Sequence, residues 1–96
     1  MLLIVGEVRK VLDNEYKNKN GELVKQAILV IEPVDGRQNY EVFLNSSQID
    51  AGTADAWSKL IGQNASVAVS LFVNHQYKFY KYNALGTGQP LKPFKG

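Results

Sequence analysis

Aromatic and basic side chains are the residues of this 96-residue chain whose types and spacing could do chemistry. The densest group runs from Tyr77 to Tyr82, where four aromatics and two lysines occupy six positions. Smaller groups surround Tyr16 in a polar segment and Phe43 in an apolar one. Aromatic rings stack on unpaired bases, and lysines and arginines neutralise phosphates, so the mixture is typical of single-strand binding. The sequence therefore predicts a sequence-tolerant binder of single-stranded DNA, with RNA left open.

Nine residues from these three groups are the predicted nucleic-acid-binding residues. Within the predicted third strand, Val42 and Leu44 define the core face together with Tyr40, so Phe43 is expected to face solvent. The two alternating faces of the last strand are both mixed, so its aromatics cannot be assigned to core or surface in this way. For Lys17 and Lys19, a solvated loop explains the residues as well as a phosphate contact does. The full set is Tyr16, Lys17, Lys19, Lys25, Arg37, Phe43, Tyr77, Lys78 and Lys81.

Catalytic and metal chemistry have little support in the sequence. There is no cysteine, and the single histidine, His75, lies in a predicted hairpin tip where water would solvate it. The acidic residues show no spacing typical of metal ligands, and no glycine-rich phosphate loop is present. We expect no enzyme activity, no cofactor, no metal and no small-molecule substrate.

Charge is segregated along the chain. All nine acids lie in residues 1–55, whereas residues 56–96 hold five lysines and no acid. An acid-free half attracts polyanions, although the net charge of +2 is modest for a strong nucleic-acid binder.

Apolar periodicity predicts five strands and one short helix. Asn20-Gly21 and Asp35-Gly36 are turn signals, and the segment 13–22 is expected to be a loop or the tip of a long hairpin. Between residues 46 and 63 the period becomes helical, with Thr53 as the expected N-cap and Trp57, Leu60 and Ile61 on one face. The predicted strands cover residues 2 to about 12, 23–32, 38–45, 65–74 and 77 to about 85.

The order β-β-β-α-β-β is that of an all-β, five-stranded OB-fold barrel with the helix closing one end. Residues 1–85 would form this single domain, and residues 86–96 a flexible basic tail. The apolar amino terminus is too short for a signal-peptide core or a membrane span, and the lack of cysteine fits a reducing compartment. We expect a cytoplasmic protein without membrane contact.

With these elements placed, the chain resembles the filamentous-phage single-stranded DNA-binding, or helix-destabilising, proteins. A basic loop with a glycine turn, residues 17–21, leads into the apolar strand 27–31, and a second hairpin at 73–77 has Tyr77 just after its tip. The resemblance covers about residues 16–85. It implies an OB-fold homodimer that coats viral single strands during DNA replication in the bacterial host cytoplasm. It also implies that Tyr16, Lys17, Lys19, Lys25 and Tyr77 bind the strand.

Two further expectations concern protein partners. The core of a small barrel takes up only one face of the last two strands, so Phe72 and some strand-five tyrosines would be exposed to solvent. A second copy of the chain would bury them, which predicts a homodimer. The alternative function is an OB-like protein-interaction module that touches no nucleic acid, since exposed tyrosines serve protein interfaces equally well.

Overall fold

A computed structural model describes residues 2–36, 38–76 and 78–91 of the chain. The chain is mostly β, with two short helices between the third and fourth strands. The elements are β1 (Leu2–Lys17), β2 (Leu23–Glu32), β3 (Tyr40–Leu44), α1 (Ser46–Asp50), α2 (Thr53–Ser58), β4 (Asn64–Asn74) and β5 (Phe79–Ala84).

The five strands form one sheet that closes on itself in the order β1-β2-β3-β5-β4. Neighbouring strands are antiparallel except β3 and β5, whose short parallel contact pairs Val42 with Tyr82 and Phe43 with Asn83. Alternate residues of each strand point inward, as strand geometry requires. The strands therefore contribute aliphatic residues to the enclosed core, with Leu29, Ile31, Val42, Leu44, Val67 and Val69 all fully buried.

The first strand is longer than the sequence predicts. The segment 13–17 continues β1 and pairs with β2, with Tyr16 opposite Val24 and Lys17 opposite Leu23, so that only residues 18–22 form a turn. Of the two predicted alternatives, a loop beginning at residue 13 is wrong, and the tip of a long hairpin agrees with the pairing. This two-stranded ribbon is solvated on both faces, so it lacks the apolar alternation that marks a half-buried strand.

Gly6 is required where β1 passes close to β2. A Cβ atom at this position would overlap the carbonyl oxygen of Glu32. The register of β1 against β2 shifts shortly afterwards, between Val8 and Lys10, which gives the irregularity that the glycine predicts near this point.

The helical region forms two helices, where the sequence predicts one. Asn45 caps α1: its side chain accepts a hydrogen bond from the Gln48 backbone at 2.9 Å, and the Gln48 side chain accepts from the Asn45 backbone at 2.8 Å. Gly52, at φ 87°, precedes α2 and occupies the N-cap position predicted for Thr53. Thr53 is instead buried, and its hydroxyl donates to the carbonyl of Thr87.

Trp57 closes one end of the sheet as predicted, with no exposed surface. Leu60 packs against this core, whereas Ile61 is 49% exposed and does not belong to the plug. Helix α2 ends at Ser58, so Ile61 lies beyond the helical spacing that would have turned it inward.

Residues 86–91, the first part of the predicted flexible tail, lie against the helices and the end of the sheet. The Trp57 indole donates to the Gly88 carbonyl at 2.8 Å, and the Gln48 amide donates to the carbonyls of Ala84 and Gly86. Leu91 then forms a β-bridge with Ser66. The buried side chains of Gln48, Thr53 and Trp57 need hydrogen-bond acceptors, and the backbone carbonyls of this glycine-rich segment supply them. The remainder of the predicted tail, residues 92–96, lies outside the described residues.

Candidate functional site

A surface groove of about 320 Å³ brings four predicted binding residues together. We call it the outer groove. It lies on the outer face of the sheet, where the β1-β2 ribbon meets β3 and β5. Its lining includes Tyr16, Lys25, Phe43 and Lys81, together with Val24, Gln26, Leu44, Asn45, Ser46 and Asn83.

Strand alternation explains why these side chains share the groove. Val42 and Leu44 are fully buried inside the sheet, so Phe43 between them faces outward and is half-buried, as the sequence predicts. On β5, Ala84 is buried, which turns Lys81 outward beside Phe43. Tyr16 reaches the same groove from the ribbon because β1 extends beyond the closed part of the sheet.

The outer groove combines the two chemistries needed to hold a single strand. Tyr16 is 46% exposed and offers a ring to solvent, while Lys25 and Lys81 supply ammonium groups. The described residues that line the groove include no acidic side chain. The acid paired with Lys25 in the register of β1 and β2 is Glu15. A groove of this kind can stack bases and neutralise phosphates.

Lys81 and Phe43 are in direct contact inside the groove. The Lys81 ammonium lies 4.2 Å from the centroid of the Phe43 ring, within the range of a cation–π interaction. The two residues also line a second groove, of about 250 Å³, which we call the tyrosine groove. Its other lining residues are Gln38, Asn39, Tyr40, Glu41, Tyr80 and Tyr82.

Three tyrosines form a row in the tyrosine groove. Tyr82 contacts Tyr40 and Tyr80 in edge-to-face geometry, each at 5.7 Å between ring centroids. Burial raises the pKa of Tyr82, and the neighbouring Tyr40 and Tyr80 raise it further. Tyr82 therefore keeps its proton at neutral pH and remains a hydrogen-bond donor.

The sequence missed this row because the two faces of β5 are both mixed in composition. Buried Ala84 decides which face of β5 points inward, and Tyr80 and Tyr82 lie on that same face. Tyr40 lies on the core face of β3 as predicted, yet it is 36% exposed because it begins the strand, beyond the enclosed core.

Amide side chains in the outer groove were also missed. Gln26 accepts a hydrogen bond from the Asn14 amide at 2.9 Å across the ribbon. Asn83 lines the groove from β5. Both positions become recognisable only when the strand registers are known, because neither amide belongs to an aromatic or basic cluster in the sequence.

A third, open groove lies on the β4-β5 hairpin and is mostly apolar. We call it the hairpin groove; its volume is about 640 Å³. Leu71 and Val73 line it from β4, and Tyr80 and Tyr82 from β5. Its remaining lining residues are Asn74, His75, Lys78 and Phe79. On the same hairpin the rings of Phe72 and Phe79 contact each other at 6.2 Å, and both are about half-exposed.

The remaining predicted residues do not join the outer groove. Lys17 ends β1 and Lys19 lies in the following turn, and both are exposed at the tip of the ribbon. Lys78 is exposed and lines the hairpin groove, with a left-handed backbone at φ 54°. Arg37 and Tyr77 lie outside the described residues.

The ion pairs of the described residues do not form a further candidate site, and neither do clusters of metal-ligating residues or the helices. Arg9 contacts Glu7 at 2.6 Å and Glu32 at 3.3 Å, and the hydrogen bond to Glu7 raises the pKa of Arg9 above its ordinary value. Within the described part of the chain, no cluster of three or more histidine or acidic residues could hold a metal ion. None of the helices described is both long and apolar enough to cross a membrane.

Comparison of the chain with protein-family models, with curated proteins and with solved structures finds no match.

Proposed function

We propose that this protein binds single-stranded DNA with little sequence preference, through the outer groove on an OB-type barrel. The observation that carries the proposal is the convergence of Tyr16, Lys25, Phe43 and Lys81 in one groove. These residues come from four strands, β1, β2, β3 and β5, and are spread from position 16 to position 81 of the sequence.

The physical requirements of sequence-tolerant binding match what the groove offers. A single strand presents flexible phosphates and unpaired bases, and proteins hold it with ammonium or guanidinium groups and with exposed aromatic faces. Each stacked base contributes on the order of 1–3 kcal/mol, so two rings provide a useful affinity without reading the base identity. The amides of Gln26 and Asn83 add hydrogen-bonding groups that any base can use.

The fold supports the proposal through the position of the groove. The closed five-stranded sheet with helices between β3 and β4 is compatible with an OB barrel. OB folds bind oligonucleotides on the face of strands 2 and 3 and on the adjoining loops, which is where the outer groove lies. The resemblance to the filamentous-phage helix-destabilising proteins extends the proposal to coating of viral single strands during replication, in the cytoplasm of a bacterial host.

We further propose that the protein is a homodimer whose interface includes the hairpin groove. Leu71, Phe72, Val73, Phe79 and Tyr80 are all between 45% and 63% exposed on one hairpin. Exposed apolar side chains at this density on one element are typical of an interface. A second copy offers the same apolar surface, so a two-fold axis at the hairpin would cover both.

The decisive experiment measures fluorescence anisotropy of labelled oligonucleotides of equal length: single-stranded DNA, duplex DNA and RNA. We expect preferential binding of single strands and a loss of affinity between about 50 and 200 mM salt, because bound lysines release counterions. Lys25→Ala should weaken binding, whereas Lys59→Ala, which removes the same charge from an exposed position outside the groove, should not. Equal affinity for duplex, or affinity indifferent to salt, contradicts the proposal.

A protein-interaction module is the second candidate function, and the hairpin groove is the observation that favours it. Its lining is mostly apolar and contains two tyrosines, a composition that suits a protein partner. Failure of all three oligonucleotides to bind, while Leu71→Gln alters the association state of the protein, would favour this alternative.

A further inference from the structure

The contact between Lys81 and Phe43 occupies the boundary of two grooves. Both residues line the outer groove, which leads toward Tyr16, and both line the tyrosine groove, which leads toward Tyr40 and Tyr80. No other described residue lines both of these grooves. The pair therefore lies between the outer groove and the tyrosine groove, whose three tyrosines come from the core-facing positions of β3 and β5.

The position of the Lys81 ammonium has a direct consequence for stacking. At 4.2 Å from the ring centroid, the ammonium covers a face of Phe43. A base stacked on that face would need the same space. The cation–π contact is worth only a small free energy at a half-exposed site, so a strand that offers both a base and a phosphate can replace it.

We propose that Lys81 has two alternative partners. Its ammonium covers the Phe43 ring in the free protein and moves to a phosphate when a strand binds. The base then takes the place of the ammonium on the ring, and the ammonium reaches a phosphate of the strand in the outer groove. The ammonium exchanges one partner for another and stays paired throughout. This inference rests on the proposed function, and it assigns Lys81 a role different from that of the other groove lysine, Lys25.

The difference between the two lysines can be measured with matched variants. Lys81→Ala and Lys25→Ala each remove one phosphate contact, so each should lower the slope of log affinity against log salt by about 0.7. Only Lys81→Ala also uncovers the ring. At high salt, where phosphate contacts contribute least, Lys81→Ala should therefore bind about two- to fivefold more tightly than the unmodified protein. Lys25→Ala should not bind more tightly at any salt concentration.

A direct test uses NMR of the unmodified protein, so it does not depend on the folding of any variant. The ε-methylene protons of Lys81 should be shifted upfield in the free protein by the ring current of Phe43. Saturation with oligothymidine should return them toward the random-coil position. The corresponding protons of Lys25, which lacks a ring partner among the described aromatic contacts, serve as the control.

Each outcome of the NMR test is informative. An upfield shift in the free protein that disappears on binding supports the inference. Binding that is confirmed by anisotropy but leaves the Lys81 resonance unmoved overturns the inference alone, since the proposed function then stands. Absence of binding by anisotropy overturns the proposed function and this inference with it. A Lys81 resonance without ring-current shift in the free protein also overturns the inference.

Discussion

The indole Nε1 of Trp57 donates a buried hydrogen bond of 2.8 Å to the carbonyl oxygen of Gly88. Helix α2 and the segment after β5 are thereby joined across one end of the sheet. Thr53 strengthens the same junction, because its hydroxyl donates to the Thr87 carbonyl and accepts from the Gln89 amide. The closure of the sheet end thus depends on a segment that has no regular secondary structure.

Removing the indole donor should destabilise the protein. Trp57→Phe leaves the Gly88 carbonyl without its indole donor and opens a small cavity, which together should cost about 2–4 kcal/mol of unfolding free energy. Urea denaturation followed by circular dichroism measures the loss. Ser58→Ala is the matched control, since this exposed hydroxyl on the same helix bonds only to the preceding turn and should change stability by less than about 0.5 kcal/mol. Similar losses in both variants would mean that the Trp57–Gly88 junction is not important for stability.

A glycine at position 88 should be required for two separate reasons. Its φ is 70°, and an added Cβ would lie 3.1 Å from the side chains of Gln48 and Leu44. Gly86→Ala provides the control, because Gly86 has a similar φ of 60° but no atom within 4 Å of the added Cβ. We expect Gly86→Ala to cost about 1–2 kcal/mol from the backbone alone and Gly88→Ala to cost about 1–3 kcal/mol more from overpacking. Equal melting temperatures for the two variants would show that the neighbours of Gly88 yield without cost.

The sequence predicts strands well where one face is buried. The bounds of β2, residues 23–32, agree with the structure because Ala27, Leu29 and Ile31 alternate with partly exposed residues along a paired strand. The sequence could not decide between a loop and a hairpin tip for the β1-β2 ribbon, because neither face of the ribbon is covered and burial imposes no pattern on its residues. Three positions of the helical region depend on capping, which a periodicity cannot reveal: the start of α1 after its N-cap Asn45, the break at Gly52 and the end of α2.

The candidate site was predictable in its residue types but less so in its geometry. Phe43 could be assigned from Val42 and Leu44, because strand alternation is a local property. The grouping of Tyr16 with Lys81 depends on which strands are neighbours, and this is set by closure of the sheet. The placement of residues 86–91 against the helices depends on side-chain donors that lie more than thirty positions earlier in the chain.

Stability should fall at alkaline pH in part because of Tyr82. Burial raises the pKa of this phenol, so the folded state holds its proton more tightly than the unfolded state does. The resulting stabilisation is complete below the unfolded pKa of about 10 and is lost as the pH rises through the higher folded pKa. Titration of tyrosinate absorbance in the folded protein should include a late ionisation step from Tyr82. Tyr82→Phe should remove that step and make the melting temperature less sensitive to pH above about 10; an unchanged titration would contradict the assignment.

Tyr16 and Lys17 should affect DNA binding in different ways although they are adjacent. They lie on opposite faces of the ribbon, and only Tyr16 lines the outer groove. Tyr16→Leu should weaken binding by about 1–3 kcal/mol and leave the salt dependence unchanged, because it removes a stacking ring and no charge. Lys17→Ala should lower the slope of log affinity against log salt by about 0.7, because it removes one phosphate contact at the ribbon tip. Both side chains are exposed, so thermal melting should be nearly unchanged and serves as the control for folding. A normal affinity for Tyr16→Leu would place the stacking surface elsewhere.

The association state should depend on the apolar side chains of the β4-β5 hairpin. Light scattering of the unmodified protein should give about twice the chain mass of 10.7 kDa, because a second copy covers the hairpin groove. Leu71→Gln places a polar amide in that interface and should shift the protein toward the monomer at equal concentration. Ile61→Gln is the matched control: Ile61 is 49% exposed, Leu71 is 48% exposed, and only Leu71 lies in the hairpin groove. We expect Ile61→Gln to remain dimeric. A monomeric unmodified protein at high concentration would overturn the dimer, and equal dissociation of both variants would place the interface away from the hairpin.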